Sequence, residues 1–285
     1  MSFGLVSFTT DYGTADGFVA ACKGVLATKA PGVRVIDVTH EVPAQDVRRG
    51  AAVLAQTVPW LPPAVHLAVV DPGVGTDRRG VAIVTPRGIL VGPDNGLLVP
   101  AAEALGGIEA AYELAEAKYH LPVVTATFHG RDVFAPVSAQ LCLGLEPSRL
   151  GPPAADLVRL PAPVVRVGAG ELRSEVLTVD RFGNVQLAAT ETDLAAAGLT
   201  GAAVIHAARV GRPGPDTAGP APDAAGVASG EGARVGRTFG DVGVGELLVL
   251  PDSDGFTSIA VNRGDAAARL GLAPGDEVVL RRPEP

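Results

Sequence analysis

The chain has 285 residues, of which 47% are hydrophobic and 19% charged, with a formal net charge of −8. This is ample for a buried core in one large domain or two modest ones. No basic block offsets the negative charge, and the pairs Arg48-Arg49 and Arg78-Arg79 stand isolated, which argues against nucleic acid and for a small neutral or cationic ligand.

In chain order, the first half alternates short apolar runs with amphipathic ones. LVSF (5–8), VRVIDV (33–38), VHLAVV (65–70), VAIV (81–84) and ILVG (89–92) read as buried strands, while 16–29 and 46–57 carry apolar residues at helical spacing. Such alternation predicts an α/β domain over 1–150 with a largely parallel sheet flanked by helices. Cys22 and Cys142 lie in apolar helical contexts without zinc or disulfide spacing and read as packing residues. From about 151 to 170 the chain is rich in Pro and Gly and reads as a linker. Beyond it, short strand-like runs leave room for helices only near 190–198 and 265–270, so 171–285 is predicted as a smaller, mostly antiparallel β domain, barrel-like or a sandwich. Within that domain, 211–237 is low in complexity and is expected to be a mobile insertion. Neither a signal-peptide pattern at the start nor any run of ~18 apolar residues is visible, so no membrane association and a cytoplasmic location are expected.

Open α/β sheets bind ligands at the carboxyl ends of their strands, which directs attention to the polar residues there. Asp11 follows the first strand run in TTDYGTADG, Asp71 ends the third in VVDPGVGTDRRG, Asp94 and Asn95 follow the fifth in GPDNG, and His129 stands in TFHGRD ahead of an apolar stretch with helical spacing. Each has a plain structural reading. Asp16 and Asp46 suit helix N-caps, Asp-Pro-Gly and Asp-Asn-Gly are common turns, and a histidine at a helix start can bond a neighbouring backbone group. Together, a carboxylate, a guanidinium and an imidazole can activate water: neutral imidazole accepts a proton near neutral pH while the other two orient it and balance charge. A metal would serve the same end, but Asp11, His40, Asp71 and His129 would have to converge from four loops, and no metal is expected.

TTDYGTADGFVAACKG, IDVTHEVPAQDVRRGA, VVDPGVGTDRRG, GPDNGLL, TFHGRDVFAP, VDRFGN, FGDVGVGE and SIAVNRGDAA occur in an order that resembles the S-adenosyl-L-methionine (SAM) hydroxide adenosyltransferases, relatives of the fluorinase and chlorinase. The resemblance implies displacement at the ribose 5′-carbon of SAM by water or hydroxide, giving adenosine and L-methionine, with no cofactor. The sulfonium leaves as a neutral thioether, so the protein's task is orientation and electrostatics. Carried over by position, the water-activating set is Asp71, Arg78 and His129, with Arg79 as the competing arginine. Asp11 matches the residue holding the ribose hydroxyls, Phe128 a wall of the nucleophile pocket, Asn184 the reader of the adenine edge, and Asp180 and Ser253 the holders of the methionine amine and carboxylate. Arg131 and Asp132 are expected to fix the helix start. Asp254 stands where the fluorinase has arginine and Gln45 where it has tryptophan. The halogenases carry tyrosines at the positions of Asp71 and His129, and the fluorinase a serine at that of Gly130. A carboxylate repels halide, so the resemblance implies a hydroxide user. It also implies a homotrimer whose active sites lie between subunits.

Three other functions compete with SAM hydrolysis: a halide adenosyltransferase making 5′-chloro-5′-deoxyadenosine, a non-catalytic SAM or adenosine binder, and a metallohydrolase. An intact Asp-Arg-His set speaks against the binder, which has no use for a water-activating group.

Overall fold

The computed structural model describes residues 2–208 and 230–283, which fall in two compact units, Met1–Pro161 and Ala162–Pro285. In the first unit the elements run β1 (Leu5–Thr10), α1 (Phe18–Lys29), β2 (Arg34–Thr39), α2 (Val47–Thr57), β3 (Ala64–Val69), β4 (Gly80–Thr85), β5 (Gly88–Pro93), α3 (Val99–Ala104), β6 (Ala110–Glu113) and α4 (Ala135–Cys142). The sheet order is β2-β1-β3-β5-β4-β6. The first four of these strands are parallel, and β4 runs antiparallel to both β5 and β6.

The two-residue period of a strand explains why this sheet is covered on both faces. Val65, Leu67 and Val69 join a core with Cys22 and Leu26 of α1 and Val137 and Leu141 of α4. Ala68 and Val70 point the other way, into a core with Ala51 and Leu54 of α2 and Ala101 and Ala102 of α3. Both cysteines are free and buried, and burial pushes both thiols up to about 12, so they pack rather than react.

Several expectations shift. The run at 33–38 read as a buried strand, yet β2 is the sheet edge and Ile36 is 41% exposed. Asp46 caps α2, accepting the Arg49 amide at 2.9 Å, but Gly17 rather than Asp16 is the N-cap of α1. The Pro-rich stretch read as a linker from 151 is held down at first. Ala154 N–H donates to the Ala111 carbonyl at 2.9 Å, Val158 N–H donates to Asp94 at 2.9 Å, and Asp156 accepts from Arg79.

In the second unit the elements are β7 (Val165–Gly168), β8 (Glu171–Val179), β9 (Val185–Thr190), α5 (Glu191–Ala196), β10 (Ala202–Ala208), β11 (Glu231–Val235), β12 (Leu247–Pro251), β13 (Phe256–Val261), α6 (Ala266–Leu270) and β14 (Glu277–Arg281). Strands β14-β10-β11-β12-β13-β9-β8 form a ring closed by pairing of β14 with β8, and β7 adds to β8. Among the described residues, only the β11–β12 pair within the ring is parallel. This is the barrel-like option, and closure leaves the ring without free edges. Strict alternation in ELRSEVLTV turns Leu172, Ser174, Val176 and Thr178 inward. Most of the expected insertion, 211–229, lies outside the described residues; its end does not, because Glu231–Val235 pair with β10 and β12 as a ring strand.

Candidate active site

Asp71 lies two residues past the end of β3, and the Asn95 amide fixes that strand end by donating to the Val70 carbonyl at 2.8 Å. The following loop doubles back through two tight turns, Val74 N–H to the Asp71 carbonyl at 3.2 Å and Thr76 N–H to the Gly73 carbonyl at 3.2 Å. This return brings Arg78 against Asp71. Arg78 Nε donates to Asp71 Oδ1 at 3.0 Å, and Nη2 donates to Oδ2, a bidentate pair with side chains only 11% and 6% exposed. Nη2 also meets His129 Nδ1 at 3.0 Å. The three residues that the sequence reading grouped therefore form one hydrogen-bonded set.

Arg79 faces elsewhere. It donates to Asp94 Oδ2 at 3.1 Å, Glu113 at 3.2 Å and Asp156 Oδ1 at 2.9 Å. Arg78 is thus the arginine of the set, and Arg79 clamps the sheet to the chain that follows it. Asp94 and Asn95 keep their structural readings.

His129 comes from a loop that the Asp71–Arg78 loop touches directly. Gly75 adopts φ +78°, and a Cβ there would overlap the Ala126 carbonyl oxygen, so only glycine lets the two loops approach this closely. The chain then enters a π turn, Gly130–Phe134, before α4. Such turns in helices recur at functional sites, and this one aims His129 back at Arg78. Asp132, fully buried, accepts the Thr125 amide at 2.8 Å and the Thr125 hydroxyl at 2.6 Å, and it pairs with Arg131 Nε at 2.6 Å. Arg131 and Asp132 thus fasten the loop ahead of His129 as well as the turn after it.

The electrostatics define the state of His129. Guanidinium nitrogen can only donate, so Nδ1 is the accepting atom and bears the lone pair. Burial, and then the Arg78 charge, hold the imidazole below its usual range. Neutral His129 carries its proton on Nε2, and its one basic nitrogen faces Arg78. Beside the set opens a cavity of about 290 Å³ lined by Arg78, Arg79, Glu113, His120, Val124 and His129. Its volume is near the lower bound of ligand pockets and leaves room for water beside the set. His120 escaped the sequence reading; its Nε2 is buried without a partner among the described residues, and burial lowers its basicity.

Phe128 stands edge-on to Tyr12 and Phe18, with centroids 5.7 and 5.2 Å away, and the Arg131 guanidinium lies over its ring. Asp11 follows β1, and its Oδ2 accepts the Gln45 amide at 2.8 Å, leaving Oδ1 unengaged by hydrogen bonds among the described residues. Among the described residues, no three His, Cys, Asp or Glu side chains stand together as metal ligands would, so Asp11, His40, Asp71 and His129 do not form one cluster.

The remaining candidates belong to the second unit. Asp180 closes the turn between β8 and β9: Oδ1 accepts the amides of Phe182 and Asn184 at 2.8 and 2.9 Å, and Oδ2 accepts Asn184 Nδ2 at 2.8 Å. Asp180 is therefore a builder of the loop that presents Asn184, a role adjacency alone did not reveal. Ser253 is exposed in the turn between β12 and β13. That turn is held by Asp252, which accepts from the Asp254 and Phe256 amides at 2.9 and 3.0 Å and from Gln186 Nε2 at 2.7 Å.

Residues 6–151 match the SAM hydroxide adenosyltransferase N-terminal domain and residues 174–279 the SAM hydroxide adenosyltransferase C-terminal domain. An (R)-S-adenosyl-L-methionine hydrolase of Salinispora tropica is 55% identical, with 96% of each chain covered. Its namesake in Thermus thermophilus is 42% identical over 96% of this chain and 98% of the relative. Fluorinases lie further off, that of Actinopolyspora mzabensis being 27% identical over 98% of this chain and 97% of the relative. A crystal structure of an uncharacterized conserved protein from Thermotoga maritima superposes with a TM-score of 0.84 at 36% identity, covering 97% of this chain and all (100%) of that one.

Proposed function

The chain belongs to the SAM hydroxide adenosyltransferase family, and from that premise we infer that it is an enzyme that hydrolyses SAM to adenosine and L-methionine. The observation that carries this reading is the hydrogen-bonded set of Asp71, Arg78 and His129. Water displaces the direct Arg78–His129 hydrogen bond and bridges the two side chains. An Arg78 N–H holds its oxygen, one of its protons points at His129 Nδ1, and a remaining lone pair is directed at the ribose 5′-carbon. As the new C–O bond forms and the C–S bond breaks, methionine leaves as a neutral thioether and Nδ1 takes the proton. Asp71 fixes the Arg78 plane by its two contacts and balances the charge as the imidazolium forms.

Asp11 binds the ribose hydroxyls with Phe128 beside them, while Asn184, Asp180 and Ser253 serve the adenine and methionine ends. No cofactor takes part. The enzyme assembles as the homotrimer that the resemblance implies, with active sites between subunits, and works in the cytoplasm. The relatives' names specify the (R) configuration at sulfur, and the same epimer is the substrate here.

The test is to incubate the protein with each sulfonium epimer of SAM, with and without chloride, and to identify the nucleoside product. Adenosine from the (R) epimer, unaffected by chloride, is expected. 5′-Chloro-5′-deoxyadenosine would favour the halide reading, and tight binding with no methionine release over hours would favour a binder.

A further inference from the structure

Beside the Asp71–Arg78–His129 set stands a hydroxyl that neither the sequence reading nor the family match assigns. Tyr12 follows Asp11 directly. Its backbone is fixed by its N–H bond to Thr10 Oγ1 at 3.2 Å, and its ring is gripped by Phe18 and Phe128, with centroids 5.9 and 5.7 Å away. A ring held this way has little freedom to swing. Its Oη lies against the backbone of Gly130, the residue after His129, so closely that a Cβ on Gly130 would overlap it. Among the described residues this hydroxyl makes no hydrogen bond, although its residue is half-buried. A fixed hydroxyl without a protein partner is free to bond a water molecule held beside it.

Resting on the reaction proposed above, we propose that Tyr12 is a water-positioning residue whose hydroxyl accepts a hydrogen bond from the second hydrogen of the attacking water, which stays on the product hydroxyl. A water molecule has four hydrogen-bonding directions. Arg78 donates to one lone pair, His129 Nδ1 takes one hydrogen, and the 5′-carbon claims the other lone pair. The second hydrogen needs an acceptor that does not itself become a nucleophile, and a neutral phenol meets that need. Burial, followed by Cys22, Asp11 and Asp71, holds the Tyr12 phenol well above its usual range and outweighs the opposing Arg78 charge, so it stays protonated and neutral. Gly130 has a matching role: the absence of a side chain there is what admits the hydroxyl.

The experiment is a double-mutant cycle on the full-length protein, reading kcat and KM for SAM hydrolysis in wild type, Tyr12→Phe, Gly130→Ala and the double variant. Tyr12→Phe keeps the ring packing and is expected to lower kcat about tenfold with KM within about twofold. Gly130→Ala displaces the hydroxyl in wild type and is expected to cost a similar factor. In the Tyr12→Phe background it should cost less than about threefold, because the nearest remaining ring atoms lie 3.2 and 3.4 Å from the new methyl. Full kcat in Tyr12→Phe, or an equal Gly130→Ala loss in both backgrounds, overturns the role of Tyr12 while leaving the hydrolase reading standing. A wild type that releases no adenosine overturns both.

Discussion

His129 holds its ring nitrogen against a permanent cation, and that contact decides how it works. Asp71→Asn removes one of two acceptors for Arg78, and His129→Ala removes the basic nitrogen. Each is expected to lower kcat by about 10² or more in a protein that still folds, with a lower unfolding midpoint in Asp71→Asn because it removes the charge partner of a nearly buried guanidinium. Unchanged turnover in both would remove the set from the mechanism. Because His129 is held below its usual range by burial and Arg78, the acidic limb of the kcat profile should fall below pH ~6.5; a limb at or above pH ~7 would contradict this. A second histidine matters to stability alone. His66 is fully buried on β3 with Ser7 Oγ 2.8 Å from its Nδ1, its Nε2 has no partner among the described residues, and burial, then Arg87, push it down to about 4. The fold thus keeps it neutral while the unfolded chain takes up a proton below pH ~6.5. Its contribution is complete above that pH and is lost as pH falls toward 4, about 2–3 kcal/mol by pH 4.5. Denaturant unfolding at pH 7 and pH 4.5 should show a smaller drop in His66→Gln than in wild type; equal drops would refute it. The residues of the set, Asp71, Arg78 and His129, were legible through their motifs, although only Asp71 follows a strand end and His129 stands in a loop well after β6. Tyr12 and His120 were not legible, because one hides behind Asp11 and the other becomes notable only through the cavity beside it.

At the scale of elements, the site depends on two loops that dock through Gly75 and on the π turn after His129. Gly75→Ala forces a residue into φ +78° and against the Ala126 carbonyl. Its expected effects are a loss of about 1–3 kcal/mol in stability and a fall in kcat as His129 moves away from Arg78. Stability and kcat both equal to wild type would show that the loop contact does not set the site. The long apolar strands β1, β3, β4 and β5 were readable because burial on both faces leaves an unbroken hydrophobic run. The short elements α3 and β6 were not: six residues of VPAAEA and four of AAYE are too brief to carry a period. The π turn has no signature in GRDVF, since its bonding depends on tertiary contacts of Asp132 and Phe134. Nor did composition reveal β11, whose EGARV becomes a strand through pairing in the ring.

At the scale of the molecule, the α/β unit carries the hydrogen-bonded Asp71–Arg78–His129 set, and the β barrel carries turns built by Asp180 and Asp252. The two-unit plan was visible as a change from alternating strand and helix to strands alone, whereas the fastening of 151–161 to the first unit depends on the Arg79 clamp, a contact between distant residues. Among the described residues, no helix is long and apolar enough to cross a membrane. At the 5′-carbon the proposed chemistry makes one bond and breaks one, and the oxygen of the new bond comes from solvent. Hydrolysis of SAM in ¹⁸O-labelled water, followed by mass analysis of both products, is the direct test. The label is expected on the 5′-oxygen of adenosine, with none in methionine. Unlabelled adenosine, or label in a product of cleavage at another carbon of the sulfonium, would contradict attack by water at the ribose 5′-carbon.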